Sequence, residues 1–157
     1  MPSTNRRTVL ATLGTVSLGG LAGCSFRQSD EHPAGSLTFA NESDLPHSIT
    51  MRVTDVGEEP GEQPYSVTGE TTTRPAQRTL TASTTISPGA RETYEGVFTE
   101  PVWYAIQFTA DGQTPPDSRG RVVYSPAPDT DSTGRTLRGT IGSNGEFRWG
   151  ISRAVRA

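Results

Sequence analysis

The sequence predicts an all-β protein, an antiparallel β-sandwich of seven or eight short strands. Three observations lead there. From Ser36 onward, apolar residues recur in short runs with a period of two, the pattern of a strand with one buried face. Turn-forming residues separate those runs, and nothing in the same stretch has helical periodicity. A chain of 157 residues with 31% apolar residues, 17 Gly and 12 Pro can build one modest core with many turns. Strands with one apolar face bury it most simply against a second sheet.

Leu37 and Phe39 make the first short run. His47-Ser48-Ile49-Thr50-Met51-Arg52-Val53 alternates cleanly, with Ile49, Met51 and Val53 on one face. Leu80, Ala82 and Ile86 repeat the period, Tyr94 and Phe98 form another run, and Val102, Tyr104, Ile106 and Phe108 make the most apolar strand. Val122 and Tyr124 follow. Leu137, Gly139 and Ile141 lead into Ser143-Asn144-Gly145, a turn signal, and Phe147, Trp149 and Ile151 complete a hairpin. Two kinds of segment break this rhythm. Residues 57–78 are long, polar and rich in Pro and Thr, with a short strand expected around Tyr65 to Val67; residues 113–120 and 127–134 are shorter acidic loops. Loops on a sandwich can bind, or can be tolerated insertions.

The amino end is organised differently. Arg6 and Arg7 are the only charges before an uncharged run from Thr8 to Gly23, in which Val9, Leu10, Leu13, Val16, Leu18 and Leu21 are diluted by Gly and hydroxyl residues. That run is too short and too weakly apolar to span a bilayer, and it has the form of a signal peptide. Asn5-Arg6-Arg7-Thr8-Val9-Leu10 resembles the twin-arginine translocation motif, with Asn5 in place of the usual Ser or Thr and Val9 in place of Phe. Leu21-Ala22-Gly23-Cys24 resembles a lipobox, which implies that the Cys24 sulfur is alkylated by lipid and that Cys24 begins the mature chain. The resemblance implies a two-chain anchor, archaeal or bacterial, and a single chain would hold only marginally. Residues 1–23 are then the export signal, 24–35 a flexible tether and 36–157 the sandwich. Eleven tether residues have a root-mean-square reach of roughly 18 Å.

All 14 basic residues are arginine, against 17 acids, for a net charge of −3. Removal of Arg6 and Arg7 with the signal leaves a charge of −5, which argues against a nucleic-acid partner. Acid excess without lysine, with abundant Thr, Ser and Gly, resembles exported proteins of halophilic archaea; a GC-rich genome also suppresses lysine codons. The blocks LTFANESDLPHSITMRVTD and ISPGARETYEGVFTEPVWYAIQF resemble the immunoglobulin-like domains of archaeal surface lipoproteins, with Pro88-Gly89 supplying the turn. That resemblance covers about half the mature chain. It implies an immunoglobulin-like sandwich and carries no activity with it.

Chemical motifs are sparse. One cysteine excludes an intrachain disulfide and paired-cysteine zinc sites. Hydrolase, zinc-protease and phosphate-loop motifs are absent, and His47 is the one histidine within the sandwich. A blue-copper site of cupredoxin type needs two His and a Cys thiolate with an axial Met. Here Cys24 belongs to the anchor and His32 to the tether, leaving only His47 and Met51. Asp129-Thr130-Asp131-Ser132 and Asp111-Gly112 offer oxygens of the kind calcium takes, although such loops are commonly just solvated. The carboxylates Glu58, Glu59, Glu92 and Glu95 are expected in polar loops or on hydrated strand faces. Trp103 points away from Val102, Tyr104 and Ile106, so it is either an outward contact residue or covered by the long loop. Arg52, Arg138 and Arg148 fall on outer faces, where they bind an acidic partner or offset neighbouring carboxylates. Asn41-Glu42-Ser43 is an N-glycosylation sequon, and Thr68 to Thr73 could accept O-linked sugar.

The expectation is a non-enzymatic, membrane-anchored module on the extracellular face, without cofactor or metal, that meets a surface protein or glycan. The alternatives are a cupredoxin-like electron carrier and a sandwich-type proteinase inhibitor with residues 57–78 as bait.

Overall fold

The structure is a computed structural model that describes residues 33–128 and 134–153. The export signal with Arg6 and Arg7, the lipobox Leu21-Ala22-Gly23, Cys24, His32 and the Asp129 to Ser132 stretch lie outside the described residues. The fold is all-β. Its strands are β1 (Gly35–Asn41), β2 (His47–Gly57), β3 (Glu59–Pro60), β4 (Val67–Thr68), β5 (Thr81–Ile86), β6 (Arg91–Phe98), β7 (Trp103–Ala110), β8 (Arg121–Tyr124), β9 (Arg135–Ile141) and β10 (Phe147–Arg153). A single helical turn, α1 (Pro75–Arg78), precedes β5, and a 3-10 turn, Asp117–Gly120, precedes β8.

Eight strands form two four-stranded sheets, ordered β10-β9-β1-β6 and β5-β2-β7-β8, and β3 pairs with β4 in a small hairpin. The two layers enclose one core. The inward residues of β2 and β7, Ile49, Met51, Val53, Tyr104, Ile106 and Phe108, are those the alternation marks, and they meet Leu37, Phe39, Leu137 and Ile141 from the other sheet. Each large apolar side chain taken fully out of water contributes about 1.5–3 kcal/mol. The fully buried Phe39, Phe98 and Phe108 are among the largest contributors.

One pairing departs from the antiparallel expectation: β1 runs parallel to β9. Parallel neighbours need a long connection, and residues 42–134 lie between these two strands. The consequence is mechanical, because the first described strand is a central strand, held by β6 on one side and β9 on the other. Gly35 is required where β1 begins. Any Cβ there would collide with the Tyr124 hydroxyl, which donates to the Arg135 carbonyl at 2.6 Å. At the opposite end of the sheet, the predicted β9–β10 turn forms with Gly145 at φ 78°, a conformation glycine adopts freely.

Two apolar residues sit less deeply than their alternation suggests. Tyr94 and Ile151 are each 39% exposed, because β6 and β10 are edge strands whose inner faces open to solvent.

Candidate binding surfaces

The sandwich begins at Gly35, so the end at which β1 starts, next to the tether expected at residues 24–35, is the tether end, and the opposite end is distal. At the tether end Gln77 and the Tyr104 and Tyr124 rings are buried, beside an open cleft of about 580 Å³ lined by Asp55, Glu70 and Arg78. Gln77, on α1, donates to the Val97 carbonyl at 3.2 Å, and its Oε1 accepts from the Thr99 amide at 3.0 Å and the Tyr104 hydroxyl at 2.7 Å. Burial pushes the Tyr104 and Tyr124 phenols well above their ordinary range, so both are neutral donors at any physiological pH. Phe98 packs against both rings, with centroids 5.1 and 4.7 Å away. This network was not legible in the sequence, where Gln77 sits in an otherwise polar stretch. Its one signal is Arg74-Pro75, since Pro at the first helical position favours a helical turn.

The long segment 57–78 also lies at this end and is folded. β4 lies against β2 and β7, and Arg78 reaches back to the carbonyls of Thr71 and Thr73. Trp103 pairs with Gly57 at the same end and is half-buried. Its placement lies between the outward contact residue and the loop-covered residue that the sequence allows.

The distal end carries an open cleft of about 370 Å³ between residues 110–119 and the β9–β10 turn. Asp111 anchors one wall in the left-handed region at φ 51°. Its Oδ2 is 2.6 Å from His47 Nδ1, and its Oδ1 accepts from the Ser48 amide at 2.9 Å. These two bonds, His47 first, hold the Asp111 carboxyl below its ordinary range against a small opposing effect of burial. Glu146 forms the other wall, paired with Arg119 at 3.1 Å and hydrogen-bonded to the Asn144 side chain at 2.8 Å. The Arg119 bond, then the Asn144 bond, lowers the Glu146 carboxyl as well. Trp149 Nε1 donates to the Ser118 carbonyl at 3.0 Å and pins the 3-10 turn to β10.

His47 is thus a partner of Asp111, while Met51 lies in the core, so the two residues the copper alternative could call on do not converge. Among the described residues, no group of three or more His, Cys, Asp or Glu side chains is placed to hold a metal ion. Glu92 and Glu95 occupy opposite faces of β6. Glu92 accepts from Tyr94 and Thr84 at the open edge, whereas Glu95 is on the outer face. They do not form a carboxylate pair.

Asn41 is placed differently from the surface acceptor that the sequon suggests. It is 1% exposed, and its Nδ2 donates both hydrogens, to Leu45 O at 2.7 Å and Ile86 O at 3.0 Å. Its Oδ1 accepts from the amide and the hydroxyl of Ser43. The Asn-Glu-Ser triplet is therefore a turn motif that closes the β1–β2 connection. In the folded domain Nδ2 has neither a free hydrogen nor space for a sugar. Arg148 offsets a neighbouring carboxylate, Glu42, at 2.6 Å; Arg52 and Arg138 are exposed on the outer faces of the two different sheets.

Compared with protein families, characterised proteins and solved structures, the chain matches none. Among the described residues, no helix is long and apolar enough to cross a membrane.

Proposed function

We propose that the protein is a non-enzymatic binding module of the extracellular membrane face, exported through the twin-arginine route and held by lipid on Cys24. The observation that carries this reading is the polarity of the sandwich. The tether joins the domain eleven residues after Cys24, at the end that holds the buried Gln77 and tyrosine network, where a second cleft of about 580 Å³ opens along residues 67–71. The cleft walled by Asp111, Arg119 and Glu146 opens at the other end, away from the anchor. A domain tethered within roughly 18 Å of a surface can meet a partner most freely through its far end. A surface protein or glycan is the partner class this placement suits.

The immunoglobulin-like assignment belongs to this proposal. It is supported by the two-layer build and by the turn at Pro88-Gly89, between β5 and β6. The arrangement has its own features: β1 and β2 lie in different sheets, whereas the first two strands of a constant-type immunoglobulin domain share one.

Fractionation of cells producing the Cys24→Ser chain tests the anchor. The variant should be exported and recovered from the medium, with the wild type in the membrane. Retention of the variant in the membrane, or failure of the wild type to leave the cytoplasm, would overturn the reading.

A further inference from the structure

A second surface lies on the side wall, on the outer face of the β10-β9-β1-β6 sheet, and does not depend on the distal cleft or on the anchor. Strand register sets Gly150, Arg138, Thr38 and Thr93 side by side across the four strands, with Arg91 one row further along β6. A groove of about 310 Å³ runs over this face. Its floor is made of hydroxyls: Thr38 is only 4% exposed although it points outward, and its Oγ1 is 3.0 Å from that of Thr93. Ser36, Thr136 and Ser152 continue the floor toward the tether end. Above Gly150 the space is open, since a Cβ built there meets no atom within 4 Å.

Arg91 and Arg138 of this groove, like Arg52 and Arg121 on the outer face of the other sheet, have no carboxylate partner among the described residues, which sets them apart from three others. Arg74, Arg119 and Arg148 are each paired with a glutamate. The exposed guanidinium groups of Arg91 and Arg138 make no ion pair or hydrogen bond among the described residues, in a chain whose acids outnumber its bases. Among the described residues Glu95 is the carboxylate lining the groove, and Arg153 stands at its end, already engaged in an interaction of its own. Neighbouring strands are about 4.8 Å apart and each row about 6.8 Å from the next, so the Cα atoms of Arg91 and Arg138 are about 12 Å apart. Across that span the two guanidinium groups can engage separate acidic groups of one polymer, alongside the hydroxyl floor. A bilayer is the poorer fit. The exposed large apolar side chains, Leu45, Tyr65, Tyr94 and Ile151, lie in turns or on inner faces of edge strands, and none stands in the groove to insert.

We propose that the groove binds an acidic polysaccharide, with Arg91 and Arg138 pairing its carboxylates and the Ser and Thr floor hydrogen-bonding its sugar hydroxyls. Arginine suits this role because its planar fork meets a carboxylate through two parallel hydrogen bonds.

The test uses the full chain carrying Cys24→Ser, so that no lipid contributes, with polygalacturonate as the probe. At low ionic strength the protein should bind polygalacturonate and not neutral dextran, and monomeric galacturonate should not compete. Arg91→Ala and Arg138→Ala should each weaken binding about tenfold. Arg52→Ala, on the outer face of the other sheet, should leave it unchanged. All of these side chains are exposed, and unchanged thermal unfolding would show that folding is intact. The proposal is overturned if the chain does not bind polygalacturonate or if the Arg91→Glu/Arg138→Glu double variant binds as well as its parent. Arginine-dependent binding to phosphatidylglycerol vesicles in preference to the polysaccharide would also overturn it, making the face a membrane contact.

Discussion

At the tether end, polar side chains are buried and satisfy one another: Gln77 holds β6, the β6–β7 connection and the Tyr104 hydroxyl together through three hydrogen bonds. At the distal end Asn41 and Ser43 are built that way, and the cleft there is walled by Asp111, bonded to the half-buried His47, and by the exposed Arg119–Glu146 pair. The difference separates what specifies the fold from what the fold presents. A buried polar group left without its partner loses its full desolvation energy, whereas an exposed ion pair contributes little because water and salt replace it. The buried polar groups resist change, and the exposed cleft walls tolerate it.

The sharpest way to break that contrast is Asn41→Ala. It removes four hydrogen bonds and takes the Asn41 donor from the buried Ile86 carbonyl, while Leu45 O keeps the Ser43 hydroxyl at 3.0 Å, so it should destabilise the domain by about 3 kcal/mol in urea unfolding. A loss below about 1 kcal/mol would mean that the distal end has no buried hub. The same burial makes a second statement. If the twin-arginine route delivers the domain already folded, Asn41 reaches the outside with its Nδ2 enclosed, and intact-mass measurement should find no glycan on it.

Gln77→Ala comes next, at about 2 kcal/mol, because Tyr104 keeps a weak alternative partner in the Glu100 carbonyl at 3.3 Å. Tyr124→Phe should cost about 1 kcal/mol, removing one hydrogen bond to Arg135 while preserving the ring packing on Phe98. If Gln77→Ala were as mild as a surface substitution, the tether end would be no more specified than the cleft.

These expectations also mark where the sequence was readable. Period-two alternation exposed the inner faces of β2 and β7 directly, since each side chain's face follows from its neighbours two residues away. It also identified Arg138 as outward-facing. It could not identify Arg91 as Arg138's companion, because that depends on β1 lying between β6 and β9 with Ala40 opposite Arg91. Nor could it find the Gln77 hub, whose partners are 20 to 27 residues away. An isolated amide has no periodic signature; its role appears only once the chain has folded around it. The sequon misled for a related reason, since the same Asn and Ser that invite a glycan also close a tight turn.

The smallest effects belong to the distal walls. Arg119→Ala should lower the melting temperature by less than about 2 °C, and added salt should shrink the difference further. The acid response follows from the carboxyl shifts. Asp111 and Glu146 are held below their ordinary values of 3.8 and 4.5 in the folded state, so each releases its proton more readily there than in the unfolded chain. Their contribution to stability is therefore fully present above about pH 4.5 and is lost as pH falls through the depressed folded values. Both groups are largely exposed, so the loss should be shallow. Asp111→Asn keeps a side-chain oxygen for the Ser48 amide but removes the titrating group opposite His47. Melting curves for this variant and the parent, recorded from pH 6 to pH 3, should converge at the acid end. Curves that stay parallel down to pH 3 would show that the His47–Asp111 bond contributes nothing that depends on the carboxylate charge, leaving Asp111 to hold its turn through backbone conformation alone.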